Sequence, residues 1–185
     1  MSKLVIVTGA SRGLGLAICR QLLQAGYSVL ALARSQSDEL TQLQQQGLHF
    51  YAADLSELDK IPTLCSELTK QYGRPYALIN NAAVGYDGVL ATMHNTEINS
   101  LLNLNIQAPI LLSKYLLRPM LLNQSGRIVN ISSIIARTGF NGLSVYAASK
   151  AALEGFSKSL AREVGKAGIT VNCVAPGYMQ TEMTS

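Results

Sequence analysis

Short apolar runs rich in β-branched residues alternate along the chain with longer stretches of helical periodicity. This alternation predicts βαβ units around a parallel sheet, and runs that are apolar throughout are typical of strands covered on both faces. The predicted strands are residues 4–8, 28–33, 49–52, 76–80, 127–131 and 169–174. The predicted helices are residues 13–25, 38–46, 57–72, 96–122 (one helix, or two broken near Pro109) and 146–165. We therefore expect an α/β fold with a doubly wound parallel sheet of six strands.

The composition is that of a globular chain with one well-filled core. Of the 185 residues, 48% are hydrophobic and 14% are charged, which predicts a single domain over residues 1–185. No apolar run approaches the roughly 20 residues of a membrane-spanning helix. The apolar run after Lys3 is too short for a signal peptide, so a cytoplasmic location is expected. The net charge of +4 comes from scattered basic residues without interleaved aromatics, which argues against a nucleic-acid groove.

The cysteines and histidines do not form a recognisable metal or disulfide pattern. Cys19, Cys65 and Cys173 are odd in number and lie in apolar surroundings, which favours reduced core residues. His49 and His94 lack partners at metal-ligand spacing. Neither a metal site nor histidine-based catalysis is predicted.

The segment VTGASRGLG follows the first predicted strand and opens the first predicted helix. Its glycines, Gly9, Gly13 and Gly15, permit a tight turn and let backbone N–H groups approach a pyrophosphate at the positive end of the helix. At this place in a βαβ unit the turn predicts a Rossmann-type dinucleotide site. An ordinary strand-to-helix turn is the alternative interpretation.

Two arginines indicate which dinucleotide is preferred. An acidic residue usually follows the second strand of such sites and binds the ribose 2′-hydroxyl, but this chain has Arg34 there. Arg12, within the glycine turn, adds a second cation. Because guanidinium groups pair strongly with phosphate, the combination predicts NADP(H). Each arginine by itself would be read as a solvated surface residue.

Tyr146 and Lys150 lie four positions apart in a predicted helix and therefore share one face. A positive charge at about 4 Å would stabilise a phenolate by roughly 4 kcal/mol at an effective dielectric near 20, before desolvation opposes it. The pair therefore predicts a tyrosine whose pKa is lowered by the lysine. Without further motifs it would more often be only an exposed helix face.

Several motifs, taken in order, resemble those of the short-chain dehydrogenase/reductase family. They are TGASRGLG, Asp54-Leu55, NNAA at residues 80–83, Asn105 in NLN, Ser133 thirteen residues before Tyr146, YAASK, and Pro176-Gly177. The resemblance covers essentially the whole chain and is strongest to the 3-oxoacyl-[acyl-carrier-protein] reductases. One departure is Ala83, where the family motif has a glycine; its methyl group would narrow the space beside the nicotinamide.

The resemblance implies an NADPH-dependent reduction of a carbonyl, with a 3-oxoacyl thioester of fatty acid synthesis as the expected substrate. Tyr146 would give the proton, Ser133 would hydrogen-bond the carbonyl, Lys150 would also hold the nicotinamide ribose, and Asn105 would hold a water in a proton relay. The implied cofactor-binding residues are Gly9, Ser11, Arg12, Gly13, Leu14, Gly15, Arg34, Asp54, Leu55, Asn81, Ala82, Tyr146, Lys150, Pro176, Gly177, Met179 and Thr181. Residues 84–89 and 135–143 are the segments expected to contact substrate.

The resemblance also raises expectations about the end of the chain and about assembly. Chains of the family continue into a substrate lid, another helix and a seventh strand, so we expect this domain to lack that C-terminal portion. It is then either part of a longer protein or a natural short form. Pairing into a homodimer or homotetramer is implied through helices around residues 96–122 and 146–164. Two other functions remain open: reduction of another ketone (sugar, polyketide or steroid-like), and a non-catalytic NADP(H)-binding sensor or scaffold.

Overall fold

A six-stranded parallel sheet forms the centre of the computed structural model, which describes residues 2–179. The strands are β1 (Leu4–Thr8), β2 (Ser28–Ala33), β3 (His49–Ala52), β4 (Ala77–Asn80), β5 (Gly126–Ile131) and β6 (Ile169–Val174). Their order is β3-β2-β1-β4-β5-β6, and every neighbouring pair is parallel. The order reverses between β1 and β4, which is the switch point at which doubly wound sheets bind ligands. The predicted fold class is confirmed.

Seven α-helices connect the strands within residues 2–179. They are α1 (Gly13–Gln24), α2 (Asp38–Gln44), α3 (Ile61–Tyr72), α4 (Asn95–Leu102), α5 (Ala108–Leu122), α6 (Ile135–Thr138) and α7 (Ser144–Val164). The predicted bounds of β1, β2, β3 and β6 agree with the structure, and those of β4 and β5 differ by one residue. The short helix α6 was not predicted, because four residues are too few to show a helical period.

The alternating side chains of β1 divide the core between the two faces of the sheet. Val5 and Val7 belong to a buried cluster with residues of α1 and α2. Leu4 and Ile6 belong to the other cluster, with residues of α3, α5 and α7. Burial on both faces explains why the strands are apolar throughout. Within residues 2–179 no helix is both long and apolar enough to cross a membrane.

The predicted helix over residues 96–122 is divided by a π-helical turn, Asn103–Gln107. This turn ends just before Pro109, which lacks a backbone N–H and lies in the first turn of α5. The interruption therefore lies close to the proline that indicated it. Asn105 lies inside the π turn and is buried. Such turns often occur at functional sites.

Candidate active site

The glycine turn between β1 and α1 fits closely against the segment that follows β4. Gly9 and Gly13 have φ values of +63° and +52°, in the left-handed region that favours glycine. A Cβ atom on Gly9 would lie 2.8 Å from the Cα of Ala82, and one on Gly15 would lie 2.2 Å from the carbonyl oxygen of Gly9. A side chain at either position would fill the turn. The first turn of α1 contains no acidic residue, so the positive end of the helix suits an anionic pyrophosphate.

Thr8, the last residue of β1, joins this turn to β4 through its side chain. Its Oγ1 accepts hydrogen bonds from the backbone N–H groups of Asn81 and Ala82 at 3.0 and 2.9 Å. The Nδ2 atom of Asn81 donates to the carbonyl oxygens of Thr8 and Gly9 at 3.0 and 3.1 Å. Asn81 and Ala82 thus hold the turn in place. Sequence reasoning did not single out Thr8; the signal was a hydroxyl residue ending a buried strand directly before a glycine turn.

The residues expected near the adenosine lie at the same edge of the sheet. Arg34 directly follows β2 and is exposed, as is Arg12 before α1. The Oδ1 atom of Asp54 accepts hydrogen bonds from the backbone N–H and the hydroxyl of Ser56, at 2.9 and 2.7 Å. These bonds lower the pKa of the Asp54 carboxyl, and the charge of Arg34 contributes a smaller lowering. Leu55 is buried, so its side chain belongs to the core.

Tyr146, Lys150 and Ser133 come together where β5 ends and α7 begins. The Nζ atom of Lys150 lies 5.5 Å from the ring centroid of Tyr146. The hydroxyl of Ser133 lies close enough to that of Tyr146 to lower the pKa of the phenol by hydrogen bonding. A Cβ atom on Gly85 would lie 3.7 Å from Cδ2 of Tyr146, so the chain after β4 passes beside the tyrosine. Residues 81–85 therefore run directly from the glycine turn to this group.

Lys150 is 3% exposed, and its Nζ donates a hydrogen bond to the carbonyl oxygen of Ile131 at 2.8 Å. Burial lowers the pKa of this lysine from 10.5 to about 8, because desolvation disfavours the ammonium. At neutral pH Lys150 is therefore still mainly an ammonium, but it loses its proton at a lower pH than an exposed lysine does. This property distinguishes it from an exposed lysine on a helix.

The pKa of Tyr146 departs from the expectation based on its spacing from Lys150. Burial raises the pKa of the phenol above its ordinary value of 10.0, and the hydrogen bond from Ser133 opposes this to a smaller extent. The predicted lowering by Lys150 is therefore wrong for the chain by itself, since desolvation dominates. Spacing along a helix shows which side chains are neighbours, but it does not show how much water they lose.

The side chain of Asn105 is used to connect three segments. Its Nδ2 donates to the carbonyl oxygen of Val84 at 2.8 Å and to Oγ of Ser149 at 3.2 Å. Its Oδ1 accepts from the N–H of Val84 at 2.9 Å. The hydroxyl of Ser149 in turn donates to the carbonyl oxygen of Tyr146 at 2.7 Å. Asn105 thus ties the segment after β4 to α7, and its expected role in holding a water stays a prediction.

The two segments expected to contact substrate are joined to each other. The N–H of Gly88 donates to the carbonyl oxygen of Gly142 at 3.0 Å. Val89 and Phe140, close to this hydrogen bond, are 63% and 69% exposed. The two predicted substrate segments therefore present apolar side chains to solvent.

The remaining predicted cofactor residues lie near the nucleotide turn and after β6. Ser11 and Leu14 belong to the turn and to the start of α1. The carbonyl oxygen of Pro176 accepts a hydrogen bond from the N–H of Ile134 at 2.9 Å, which keeps the chain after β6 beside Ser133. Gly177 and Met179 follow in this segment. Thr181 lies outside the described residues.

Comparisons with known proteins agree with this architecture. The model of the short chain dehydrogenase family matches residues 3–185. Carbonyl reductase family member 4 of Xenopus laevis is 39% identical over 100% of this chain and 79% of its own length. The 3-oxoacyl-[acyl-carrier-protein] reductase FabG of Escherichia coli is also 39% identical, over 98% of this chain and 75% of its own.

Solved structures show the same fold. A short-chain dehydrogenase from Streptomyces avermitilis superposes with a TM-score of 0.92 at 34% identity, covering 100% of this chain and 68% of its own. A chain from Beutenbergia cavernae, assigned as an NAD(P)-dependent gluconate 5-dehydrogenase and carrying NADP at low occupancy, gives a TM-score of 0.91 at 32% identity. That match covers 98% of this chain and 74% of the other.

Proposed function

The chain belongs to the short-chain dehydrogenase family, and on that basis we propose that it uses NADPH to reduce a 3-oxoacyl thioester to a 3-hydroxyacyl thioester. One observation carries the proposal. Residues 81–85 bond the glycine turn at one end and pass beside Tyr146 at the other, so a dinucleotide on the turn would extend toward Ser133, Tyr146 and Lys150.

NADP(H) is supported by the shape and the charge of the nucleotide half of the site, which we define as the glycine turn, residues 9–15, together with Arg34. A Cβ on Gly9 or Gly15 would meet atoms of the turn itself or of residues 81–82, so these glycines permit the close packing that is typical of a dinucleotide-binding turn. Arg12 and Arg34 are exposed cations at the adenosine side of this turn. Both suit the 2′-phosphate of NADP.

When bound, NADPH supplies a hydride to the carbonyl carbon of the substrate. In the proposed reaction the hydroxyls of Ser133 and Tyr146 hydrogen-bond the carbonyl oxygen, and Tyr146 gives its proton as negative charge develops there. A phenol whose pKa is raised by burial keeps its proton at neutral pH, so it starts the reduction in the required state. The ammonium of Lys150 stabilises the phenolate that remains.

The identity of the ketone is the finer part of the proposal. A thioester substrate is supported by similarity to 3-oxoacyl-[acyl-carrier-protein] reductases. Equal similarity to a carbonyl reductase family member supports a second candidate, a reductase of ketones without a thioester. The two differ in what the site must accommodate beyond the carbonyl.

Turnover can be followed by the loss of NADPH absorbance with acetoacetyl thioester and, separately, with a ketone of similar size that lacks the thioester. We expect oxidation of NADPH with the thioester and little with NADH. Reduction of the simple ketone alone would favour the second candidate. NADPH binding without turnover of either would contradict the proposal and support a sensor.

We also propose that two or four chains assemble through α4, α5 and α7. Support comes from family membership and from an exposed row of small residues on α7, formed by Ala148, Ala152, Gly155 and Ser159, which permits close approach of a second helix. Sedimentation should give at least twice the 19.8 kDa chain mass. A monomer at micromolar concentration would contradict this assembly. The expected cytoplasmic location stays a prediction.

A further inference from the structure

A buried carboxylate lies on α7 one helical turn after Lys150, and the proposed chemistry does not use it. Glu154 is 8% exposed. A buried carboxylate is costly unless it is hydrogen-bonded or paired, so its partners show what it holds together. One partner is Ser132, directly after β5, and the other is Arg137 in α6, the helix at the start of the predicted substrate segment 135–143.

Glu154 forms bonds with both oxygens of its side chain. Its Oε1 accepts a hydrogen bond from the hydroxyl of Ser132 at 3.1 Å. Its Oε2 lies 3.4 Å from both Nε and Nη2 of Arg137. The hydroxyl of Ser132 is also 3.2 Å from the carbonyl oxygen of Lys150. We call Ser132, Arg137 and Glu154 the Glu154 clasp.

Each partner of Glu154 is adjacent to a part of the candidate active site. Ser132 directly precedes Ser133, and Arg137 belongs to α6. The N–H of Ile135, at the start of α6, donates to Oγ of Ser133 at 3.3 Å. The clasp therefore connects two parts of the site to α7, the helix that carries Tyr146 and Lys150. These parts are the backbone around Ser133 and the short helix α6.

We infer that Glu154 is a positioning residue, which rests on the proposed reductase function. Its carboxylate fixes Ser133 and α6 relative to Tyr146, so that both hydroxyls can reach one carbonyl oxygen. Arg137 keeps this carboxylate oriented from outside: its side chain is 71% exposed, against 10% for that of Glu154. Removing the arginine should loosen α6 without opening the core. A carboxylate with a merely structural role would instead change folding, cofactor affinity and turnover together.

The kinetic test compares Arg137→Ala, Arg137→Lys and Glu154→Gln with Arg74→Ala. Arg74 is a matched control, since it is an exposed arginine whose Nη1 hydrogen-bonds Oδ1 of Asn123 at 3.1 Å, at the end of α5. Small displacements of reacting groups are costly, so we expect Arg137→Ala and Glu154→Gln to lower kcat/KM for acetoacetyl thioester roughly tenfold. NADPH affinity and the melting temperature should stay close to those of the control, and Arg137→Lys should recover part of the rate.

Equal kcat/KM in Arg137→Ala and Arg74→Ala would overturn the inference. So would a parallel loss of NADPH affinity, thermal stability and turnover in Glu154→Gln, because that result describes a structural carboxylate. A parent protein without turnover would refute the proposed function but not the clasp, which needs a measurement independent of activity.

Hydrogen exchange provides that measurement. The N–H groups of Ala136, Thr138 and Gly139 are bonded within the α6 turn, to the carbonyl oxygens of Ser133, Ile134 and Ile135. In Arg137→Ala these amides should exchange several-fold faster than in Arg74→Ala, while the amides of β1 stay unchanged. Faster exchange confined to α6 supports the clasp. Unchanged exchange overturns it, whether or not the parent protein turns over substrate.

Discussion

The candidate site has two halves at the same edge of one sheet, and different forces build them. The nucleotide half is the glycine turn, residues 9–15, with Arg34, and the proposed catalytic half comprises Asn105, Ser133, Tyr146 and Lys150 with the Glu154 clasp. The nucleotide half depends on backbone fit: Gly9 and Gly15 leave no space for a side chain, and its arginines are exposed. The catalytic half depends on buried polar side chains, of which Lys150, Asn105 and Glu154 are each at most 8% exposed. Steric fit is insensitive to pH, whereas the free energy of a buried ionisable group depends on it.

The difference teaches where each half can fail. A single methyl group should disable the nucleotide half, because backbone atoms cannot move aside cheaply. The catalytic half should accept changes of similar volume but respond strongly to the loss of one proton, charge or hydrogen bond. The substitutions proposed here each alter one half and change the property on which that half depends.

Replacing the tyrosine of the catalytic half should give the largest effect. Tyr146→Phe keeps the ring and removes the proton donor, so we expect kcat to fall roughly 10³-fold while NADPH affinity stays nearly intact. Tyr27→Phe, before β2 and remote from the site, is the matched control. Single-turnover kinetics, followed by NADPH absorbance, measures the rate. Fluorescence titration measures the affinity for NADPH. Equal loss of rate and affinity would mean that the two halves are not separable at this residue.

A methyl group added to the nucleotide half should lower the affinity for NADPH, whereas the loss of the Tyr146 hydroxyl should lower kcat. In Gly15→Ala the new Cβ would lie 2.2 Å from the carbonyl oxygen of Gly9 and 2.6 Å from Nδ2 of Asn81. We expect NADPH affinity to fall at least about 100-fold, because the turn must shift away from the geometry that receives the pyrophosphate. Gly165→Ala is the control, since the space around Gly165 is open and its φ is −57°. Unchanged affinity in Gly15→Ala would show that the turn adapts.

The buried charge of Lys150 should lower the free energy of unfolding of the protein. Its pKa is lowered to about 8 from 10.5, so the unfolded chain binds this proton more tightly than the folded chain does. Burial of the ammonium therefore destabilises the fold below about pH 8, and the cost disappears as the pH rises through about 10.5. After allowing for the lost hydrogen bond to Ile131, Lys150→Met should be more stable at pH 7 by about 2 kcal/mol.

Urea unfolding of the parent, Lys150→Met and Lys158→Met at pH 7 and pH 10 measures this difference. The gain should be confined to Lys150→Met and should shrink at pH 10, because the parent lysine is then largely neutral. Lys158 is an exposed lysine on the same helix, and its replacement should change the free energy of unfolding little. A gain that is equal at both pH values would show that the side chain is buried without a charge penalty.

The same contrast explains how much the sequence could predict. The strand runs and the glycine spacing are local patterns, so the sheet and the turn were predicted to within a residue or two. Burial is set by distant segments meeting, and no local pattern reports it. The spacing of Tyr146 and Lys150 therefore gave the correct neighbours but the wrong direction for the pKa of Tyr146. Thr8 and Glu154 were missed for the same reason, since their partners Ala82 and Arg137 are brought near only by the fold.

The smallest predicted effect concerns the exposed charge of the nucleotide half. Arg34→Asp should turn attraction for the 2′-phosphate of NADP into repulsion, and the carboxylate suits the ribose 2′-hydroxyl of NAD. Because this position is exposed and screened by salt, we expect about a tenfold shift of the NADPH-to-NADH affinity ratio. The catalytic half should be untouched, so kcat at saturating cofactor should stay near that of Arg74→Asp. An unchanged ratio would show that Arg34 does not contribute to the choice between NADPH and NADH.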